Sequence, residues 1–319
     1  MRVAKLFLAL LVFACTAAAQ TYPARPVKLI VPFPPGGNTD IVGRLIAQKL
    51  TDSFGQQVYV ENRGGAGGTI GAEAAARSPA DGYSLFFSTT GTLASAPSMQ
   101  AGLRYDPIKD FAPISTLANA PVVVIVADAL PAKSLAELVQ LARSRPGALT
   151  FGSAGTGHFV HIAGEMFKSA AGVQMLHVPY KGVAPALVDL LGGRIDAMFD
   201  AFAQYEPHLQ SGKLRALAVA NPKRLSRLPN VPTSAEAGLP GFVLASWFGL
   251  AAPAGTPPEI ITRVNADVQK ALAGSDVLET MAKLGLEPGG NSPQQYAAMI
   301  ADELGKWRQA VKAAGIKID

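Results

Sequence analysis

The sequence predicts an α/β protein of two domains, and three observations carry that prediction. The chain has 319 residues, enough for two domains of ordinary size. Short apolar, β-branched runs alternate with segments whose apolar residues recur at helical spacing, the pattern of parallel strands joined by crossover helices. Two strand–glycine turn–helix units, 29–50 and 149–167, stand in matching positions of the two halves. With 49% apolar residues, 16% charged residues and a formal charge of +5, the composition excludes a disordered chain.

The first 19 residues read as a leader. Arg2 and Lys5 precede the apolar run 6–14, and Ala17-Ala18-Ala19 supplies small residues for cleavage, as in a secretory signal peptide. The run is shorter than the about 20 residues of a spanning helix. A lipid anchor on Cys15 is disfavoured, because Phe13 fits a lipobox poorly and a good cleavage site follows. Cleavage after Ala19 removes Arg2, Lys5 and the single cysteine, leaving 300 residues at +3. Such a chain has neither a disulfide framework nor a multi-thiolate metal site. No cluster of five basic residues occurs, which argues against a nucleic-acid partner.

In the mature chain, a strand at 27–32 ends in Pro34-Pro35-Gly36-Gly37. A helix follows, marked by Ile41, Val42, Leu45, Ile46 and Leu50, with Asn38 or Thr39 as its N-cap and Asp40 in its first turn. A strand at 58–60 leads through the glycine-rich 64–68 to a helix at 69–77, and Asp81-Gly82 turns into a strand at 84–87. Residues 122–126 form a continuous β-branched run, as a buried strand does. A helix at 135–143, a strand at 148–151, the small-residue turn 152–157 and a helix at 158–170 follow. Further strands are predicted at 175–178, 197–199, 214–220 and 242–250, and helices at 258–272, 276–284 and 293–313.

Both glycine turns deliver the chain to a helix start, where unpaired amides and the helix dipole attract an anion. Nucleotide motifs fail: Gly152 and Gly157 frame half a P-loop, but His158 and Phe159 stand where Lys and Ser/Thr are required. Gly65-x-Gly67 lacks its third glycine, and Gly152-Ser153-Ala154-Gly155 is one residue short of a nucleophile elbow. His158, His161, Glu165 and His177 have the residue types for a metal site, but without the H-E-x-x-H pattern a structural role is the better reading, and no metal or cofactor is expected. Tyr180 and Lys181 follow one strand, and Asp200 closes another, at the positions where open α/β sheets hold ligands. Trp247 and Phe248 read as core or hinge packing.

Several segments occur in a characteristic order. They are Tyr22-Pro23-x-Arg25-Pro26, Val31-Pro32-Phe33-Pro34-Pro35-Gly36-Gly37-x-Thr39-Asp40, Glu61-Asn62-Arg63-x-Gly65-Ala66-Gly67-Gly68, Tyr105-Asp106-Pro107-x-Lys109-Asp110-Phe111, His177-Val178-Pro179-Tyr180-Lys181-Gly182 and Ala237-Gly238-Leu239-Pro240-Gly241. In these the mature chain resembles the Bug-type solute-binding proteins of the tripartite tricarboxylate transporter group. The resemblance implies a type II-like periplasmic binding protein, each domain a mainly parallel sheet flanked by helices, with a ligand cleft between them. It implies one domain from 20–122 plus 223–319 and another from 123–222. It further implies capture of a small carboxylate, an organic acid or amino acid, through loop amides, hydroxyls and waters.

Carried onto this sequence, the first-domain site comprises Phe33, Pro34, Pro35, Gly36, Gly37, Thr39, Ser88, Thr89, Thr90 and Gly91. The second-domain site comprises Ser153, Ala154, Gly155, Thr156, Gly157, His158, Tyr180, Lys181 and Asp200. The implied partners are transporter membrane subunits or a sensor kinase, the expected state is a monomer, and no catalytic residue is assigned. His158 departs from the family's usual Ser or Thr, and Leu93 from its frequent His. The rival reading is an exported hydrolase or isomerase acting on a small carboxylate through His158, Tyr180 or Lys181.

Overall fold

The computed structural model describes residues 22–156, 159–180 and 182–313. The leader with Cys15, and Gly157, His158 and Lys181 of the expected site, lie outside the described residues.

Strand β1 (Val27–Val31) buries Val27, Leu29, Ile30 and Val31, which is why it reads as an unbroken apolar run. Helix α1 (Asn38–Phe54) buries Val42, Ile46 and Leu50 at four-residue spacing, each contributing about 1.5–3 kcal/mol of hydrophobic free energy. Its N-cap is Gly37, not Asn38 or Thr39: Gly37 is extended (φ −84°, ψ 171°) and supplies no capping side chain. The helix ends on Gly55 at φ 66°, whose amide returns to the Thr51 carbonyl.

Strand β2 (Val58–Asn62), helix α2 (Thr69–Ala76) and the fully buried strand β3 (Ser84–Thr89) complete the first crossover units. Strands β2 and β3 flank β1, both parallel to it. A π-helical turn, Gly91–Ser95, runs into the short helix α3 (Ala96–Met99).

The 17-residue strand β4 (Phe111–Ala127) is the largest departure from the sequence reading, which marks only 122–126. Its first part contains Pro113, Ser115, Thr116, Asn119 and Pro121, which interrupt the apolar run. The ladder shifts register between Pro113 and Ser115 and again between Thr116 and Ala118, as β-bulges allow. Helix α4 (Leu135–Ser144), capped by Ser134 Oγ on the Glu137 amide, leads to strand β5 (Thr150–Ser153). Helix α5 (Phe159–Ala171), strand β6 (Leu176–Pro179), helix α6 (Val183–Leu191), strand β7 (Ala197–Ala201), helix α7 (Glu206–Gln210) and strand β8 (Leu214–Val219) follow. Pro185 obscures α6 in the sequence.

The chain returns through strand β9 (Ala245–Pro253), then helices α8 (Pro258–Leu272) and α9 (Ser275–Lys283), strand β10 (Glu287–Pro288) and helix α10 (Pro293–Ala313). The sheet order is β2-β1-β3-β9-β4-β7-β5-β6, with β8 and β10 also on β4. Strands reached through crossover helices pair in parallel, whereas β4 and β9 are antiparallel to every neighbour. Each lobe's sheet is therefore mixed rather than mainly parallel, because the strands carrying the chain between lobes run against the crossover strands. The first half of β4 belongs to one lobe and its Val-rich second half to the other. Helix α10 braces the junction: Trp307 is buried against Phe159, and Tyr296 meets Trp247 edge-on at 5.5 Å.

Candidate functional site

Two cavities open between the lobes and share Phe33, Thr39 and Ala201. The larger, about 750 Å³, is bounded by Phe33, Pro34, Pro35 and Gly37, the start of α1, Val183, Ala201, Ala203, Gln204 and the end of α9. The smaller, about 220 Å³, is lined by Ala66, Gly67, Thr89, Gly91, Ser95, Ala96, Met99, Gln100, Phe159, Asp200, Ser246 and Phe248. A separate groove between α1 and α8 carries Lys49 and Asp267, whose charges already pair with Asp276 and Arg263.

The first-lobe turn is built from its own helix. Asp40, only 4% exposed, accepts the Gly36 amide and Arg44 Nε through Oδ2, each at 3.0 Å. Asn62 Nδ2 donates to Asp40 Oδ1 at 2.9 Å and to the Phe33 carbonyl at 3.0 Å, fastening both ends of the turn. The Arg44 bond above all, with Asn62 and Gly36, holds the Asp40 carboxyl below its ordinary range against the opposing effect of burial. Gly36 sits at φ 96°, a backbone that side-chain-bearing residues rarely adopt. Its amide is thus spent inside the turn. Among the described residues the amides of Asn38 and Thr39 find no acceptor, and both residues border the larger cavity at the positive end of α1.

At the end of β3 the four expected residues divide into two pairs. Ser88 and Thr90 are fully buried: Ser88 Oγ lies 2.8 Å from Tyr296 Oη, and Thr90 Oγ1 accepts the Trp247 amide at 2.8 Å. Thr89 and Gly91 face the smaller cavity. The Thr89 amide donates to Thr92 Oγ1 at 3.0 Å and the Thr92 amide to Thr89 Oγ1 at 3.2 Å, which fixes this corner.

In the second lobe, Ser153 is fully buried, with Oγ 2.6 Å from His177 Nε2 and accepting the Gly155 amide at 3.1 Å. The His161 and His177 rings stack with centroids 3.8 Å apart, and His161 Nε2 lies 3.8 Å from Glu165 Oε1, itself bonded to Lys168. Burial, then His161 and Lys168, push His177 down to about 4, so the imidazole is neutral near pH 7. These groups hold the turn from behind. Ala154, Gly155 and Thr156 are partly or fully exposed, but they do not line either cavity. Tyr180 donates its hydroxyl to Asp189 Oδ2 at 2.7 Å, and burial followed by Asp189 raises it to about 12.

Asp200 is 5% exposed and lines the smaller cavity. It accepts the Ala201 amide at 2.7 Å, the Tyr205 hydroxyl at 2.9 Å and Gln204 Nε2. Burial raises its carboxyl to about 6 despite these bonds, which favour the charged form.

The structure therefore brings Phe33, Pro34, Pro35, Gly37, Thr39, Thr89, Gly91 and Asp200 to the cleft. It puts Gly36, Ser88, Thr90, Ser153, Ala154, Gly155, Thr156 and Tyr180 off the walls of the two cavities, mostly as supports. The sequence reading missed Ser95, Met99, Gln100, Phe159, Gln204, Ser246 and Phe248 on those walls. Ser246 and Phe248 flank the buried Trp247 on β9, so strand alternation was the signal that put them on one face. Phe248 is thus a wall residue as well as a packing one. Among the described residues no group of three metal-ligating side chains occurs.

The model of the family described as "Tripartite tricarboxylate transporter family receptor" matches residues 42–316. The chain belongs to this receptor family. Protein BugT of Bordetella pertussis is 40% identical to it over 314 residues, covering 98% of this chain and 96% of that one. A receptor of R. palustris solved with adipate is 40% identical, covers 93% of this chain and 99% of its own, and superimposes with a TM-score of 0.81. A second from Rhodopseudomonas palustris, MatC with bound malate, is 35% identical, with coverage of 91% and 100% and a TM-score of 0.77. The two-lobed α/β fold is that of periplasmic binding proteins, and the receptor family's members bind rather than transform their solutes. The exported-enzyme reading is set aside on that ground.

Proposed function

We propose that this receptor captures a small carboxylate between its lobes for uptake or sensing. The observation that carries the reading is the start of α1: the Asn38 and Thr39 amides, unpartnered among the described residues, border a cleft faced by the second lobe. An anion there exchanges water for amides already held in place by Asp40 and Asn62, so little ordering cost remains. The adipate- and malate-bound relatives support a carboxylate as the solute.

In this reading the lobes are 20–122 with 223–319, and 123–222, and they close on the ligand about β4 and β9. Phe33, Pro34, Pro35, Gly37, Thr39, Thr89, Gly91 and Asp200 line the site, while 154–157, His158 and Lys181 approach from the second lobe on closure, with Ser153 and Tyr180 holding their turns from behind. The leader 1–19 is removed on export to the periplasm. The mature chain acts as a monomer that presents its closed form to transporter membrane subunits or to a sensor kinase.

The test is native mass spectrometry of the protein as purified, followed by calorimetric titration of the unfolded and refolded, ligand-free protein with the acid released. A carboxylate bound at one per chain is the expected result. A preparation that carries no acid and binds none from a panel of mono-, di- and tricarboxylates overturns the reading.

A further inference from the structure

The smaller cavity contains a feature at odds with a site for a fully anionic solute. Asp200 is the one charged side chain on the wall this cavity shows among the described residues, the rest being Phe33, Phe159, Phe248, Met99, small residues and neutral hydroxyl or amide side chains. Its charge has no Lys or Arg bonded to it among the described residues; its partners are an amide, a phenol and a carboxamide. Those three donors leave a carboxylate with accepting capacity unspent. Bonded only to neutral donors among the described residues, it repels a second carboxylate and attracts an N–H or O–H.

We propose that Asp200 is a specificity-determining residue that selects solutes bearing one carboxylate and, away from it, a hydrogen-bond donor, either a hydroxyl or an ammonium group. The inference rests on the carboxylate-receptor reading and refines its substrate class. The acid end takes the amides at the start of α1, and the donor end satisfies Asp200. Thr39 borders both cavities and joins the two ends, and Phe33, Phe159 and Phe248 on the same wall as Asp200 cover the carbon skeleton. An ammonium gains both a hydrogen bond and charge compensation, and a hydroxyl gains the hydrogen bond alone.

The test pairs each linear diacid from succinate to adipate with its two counterparts in which one carboxylate is replaced by –CH2OH or –CH2NH3+. Titrations are run at pH 8 on ligand-free protein and on Asp200→Asn, which keeps an acceptor for the Ala201 amide. In the native protein the best donor-bearing acid is expected to bind about tenfold or more tighter than its diacid. Asp200→Asn is expected to erase most of that ratio. The ratio of the ammonium to the hydroxyl member tells which donor is read.

Should the variant fail to fold, the native protein at pH 5 supplies the second measurement. There Asp200 is largely protonated while Tyr205, its bonded titratable neighbour, stays neutral, and the hydroxy acid should lose its advantage over the monoacid ending in –CH3, a pair in which neither member takes up a second proton as the diacid does. A diacid that binds the native protein as well as its counterparts overturns the proposal and leaves the receptor reading standing. So does a ratio unchanged both in Asp200→Asn and at pH 5. Binding by no member of any series, with no acid co-purifying, overturns both.

Discussion

The carboxylate of Asp40 accepts the amide of Gly36 at 3.0 Å, so the glycine turn at the cleft is closed by the first turn of the helix it introduces. This reverses the simplest reading of a Pro-Pro-Gly-Gly turn, in which every glycine amide waits for a ligand. The acid spends one amide to aim the next ones. Asp40→Ala should free Gly36 N, Arg44 Nε and Asn62 Nδ2 together, costing about 1–2 kcal/mol of stability, since three donors lose a charged acceptor but can turn to water. Urea unfolding measures that cost, and titration with the co-purified acid should show weaker binding. Affinity unchanged in a folded Asp40→Ala protein would show that the turn does not position the site.

Gly36 and Gly37 are adjacent and exposed, and neither would meet another atom within 4 Å through an added Cβ. They differ in backbone alone: φ is 96° at Gly36 and −84° at Gly37. Gly36→Ala should therefore cost about 1–2 kcal/mol by conformation, while Gly37→Ala, at an extended N-cap where alanine is only the poorer cap, should cost no more than about 1 kcal/mol. Melting temperatures of the two variants check this. Equal losses would mean that crowding, not φ, governs the turn.

The stacked His161–His177 pair and the buried Asp200 pull the pH dependence of stability in opposite directions. His177 has its folded pKa depressed from 6.5 to about 4, so between those values the unfolded chain binds more protons and stability falls on acidification. Asp200 has its folded pKa raised from 3.8 to about 6, so in nearly the same window the folded chain binds more protons and stability rises on acidification. Burial lowers the His161 imidazole too, so its contribution has the same sign as that of His177, and Asp200 offsets only part of the loss in the native protein. Asp200→Asn removes the compensating group and should steepen the loss on acidification, and His177→Gln should flatten or invert it. Chemical denaturation at half-unit intervals of pH reads both slopes. Slopes that move together in the two variants would contradict the assignment.

Most of the fold was legible because its signals are local. The helices at 258–272 and 293–313 coincide with the observed ones, since their apolar residues repeat at helical spacing between proline starts and clear ends. Strand β4 was legible only at Val122–Val126, because pairing on both sides sustains its Pro- and Ser-bearing half, and pairing is not local information. The site divides in the same way. Glycine turns before helices could be read as candidate anion sites from sequence. That Gly36 and Gly155 spend their amides on Asp40 and Ser153 depends on side chains folding back, which spacing does not reveal. Asp200 was found because it ends a strand, whereas Ser95, Met99 and Gln100 sit in a π-helical turn and short helix that the sequence does not announce.

Phe248 lies at the meeting of the two roles that β9 plays. It is 9% exposed, packs tilted against Phe87 at a centroid distance of 5.5 Å, and still forms part of the cavity wall that also holds Asp200. Its neighbour Trp247 points to the opposite face, where Tyr296 covers it. Phe248→Ala should therefore lose stability by about 3 kcal/mol through the lost core contact. It should also lose affinity for the bound acid, because water entering the emptied wall weakens the hydrogen bonds beside it. Phe248→Leu restores most of the volume and should recover stability to within about 1.5 kcal/mol. If the leucine variant also recovers full affinity, the wall needs only bulk there; if affinity stays low while stability returns, the flat ring itself covers the ligand. Titration and melting of the two variants separate these outcomes, and an alanine variant that binds the acid as tightly as the native protein would take Phe248 out of the site.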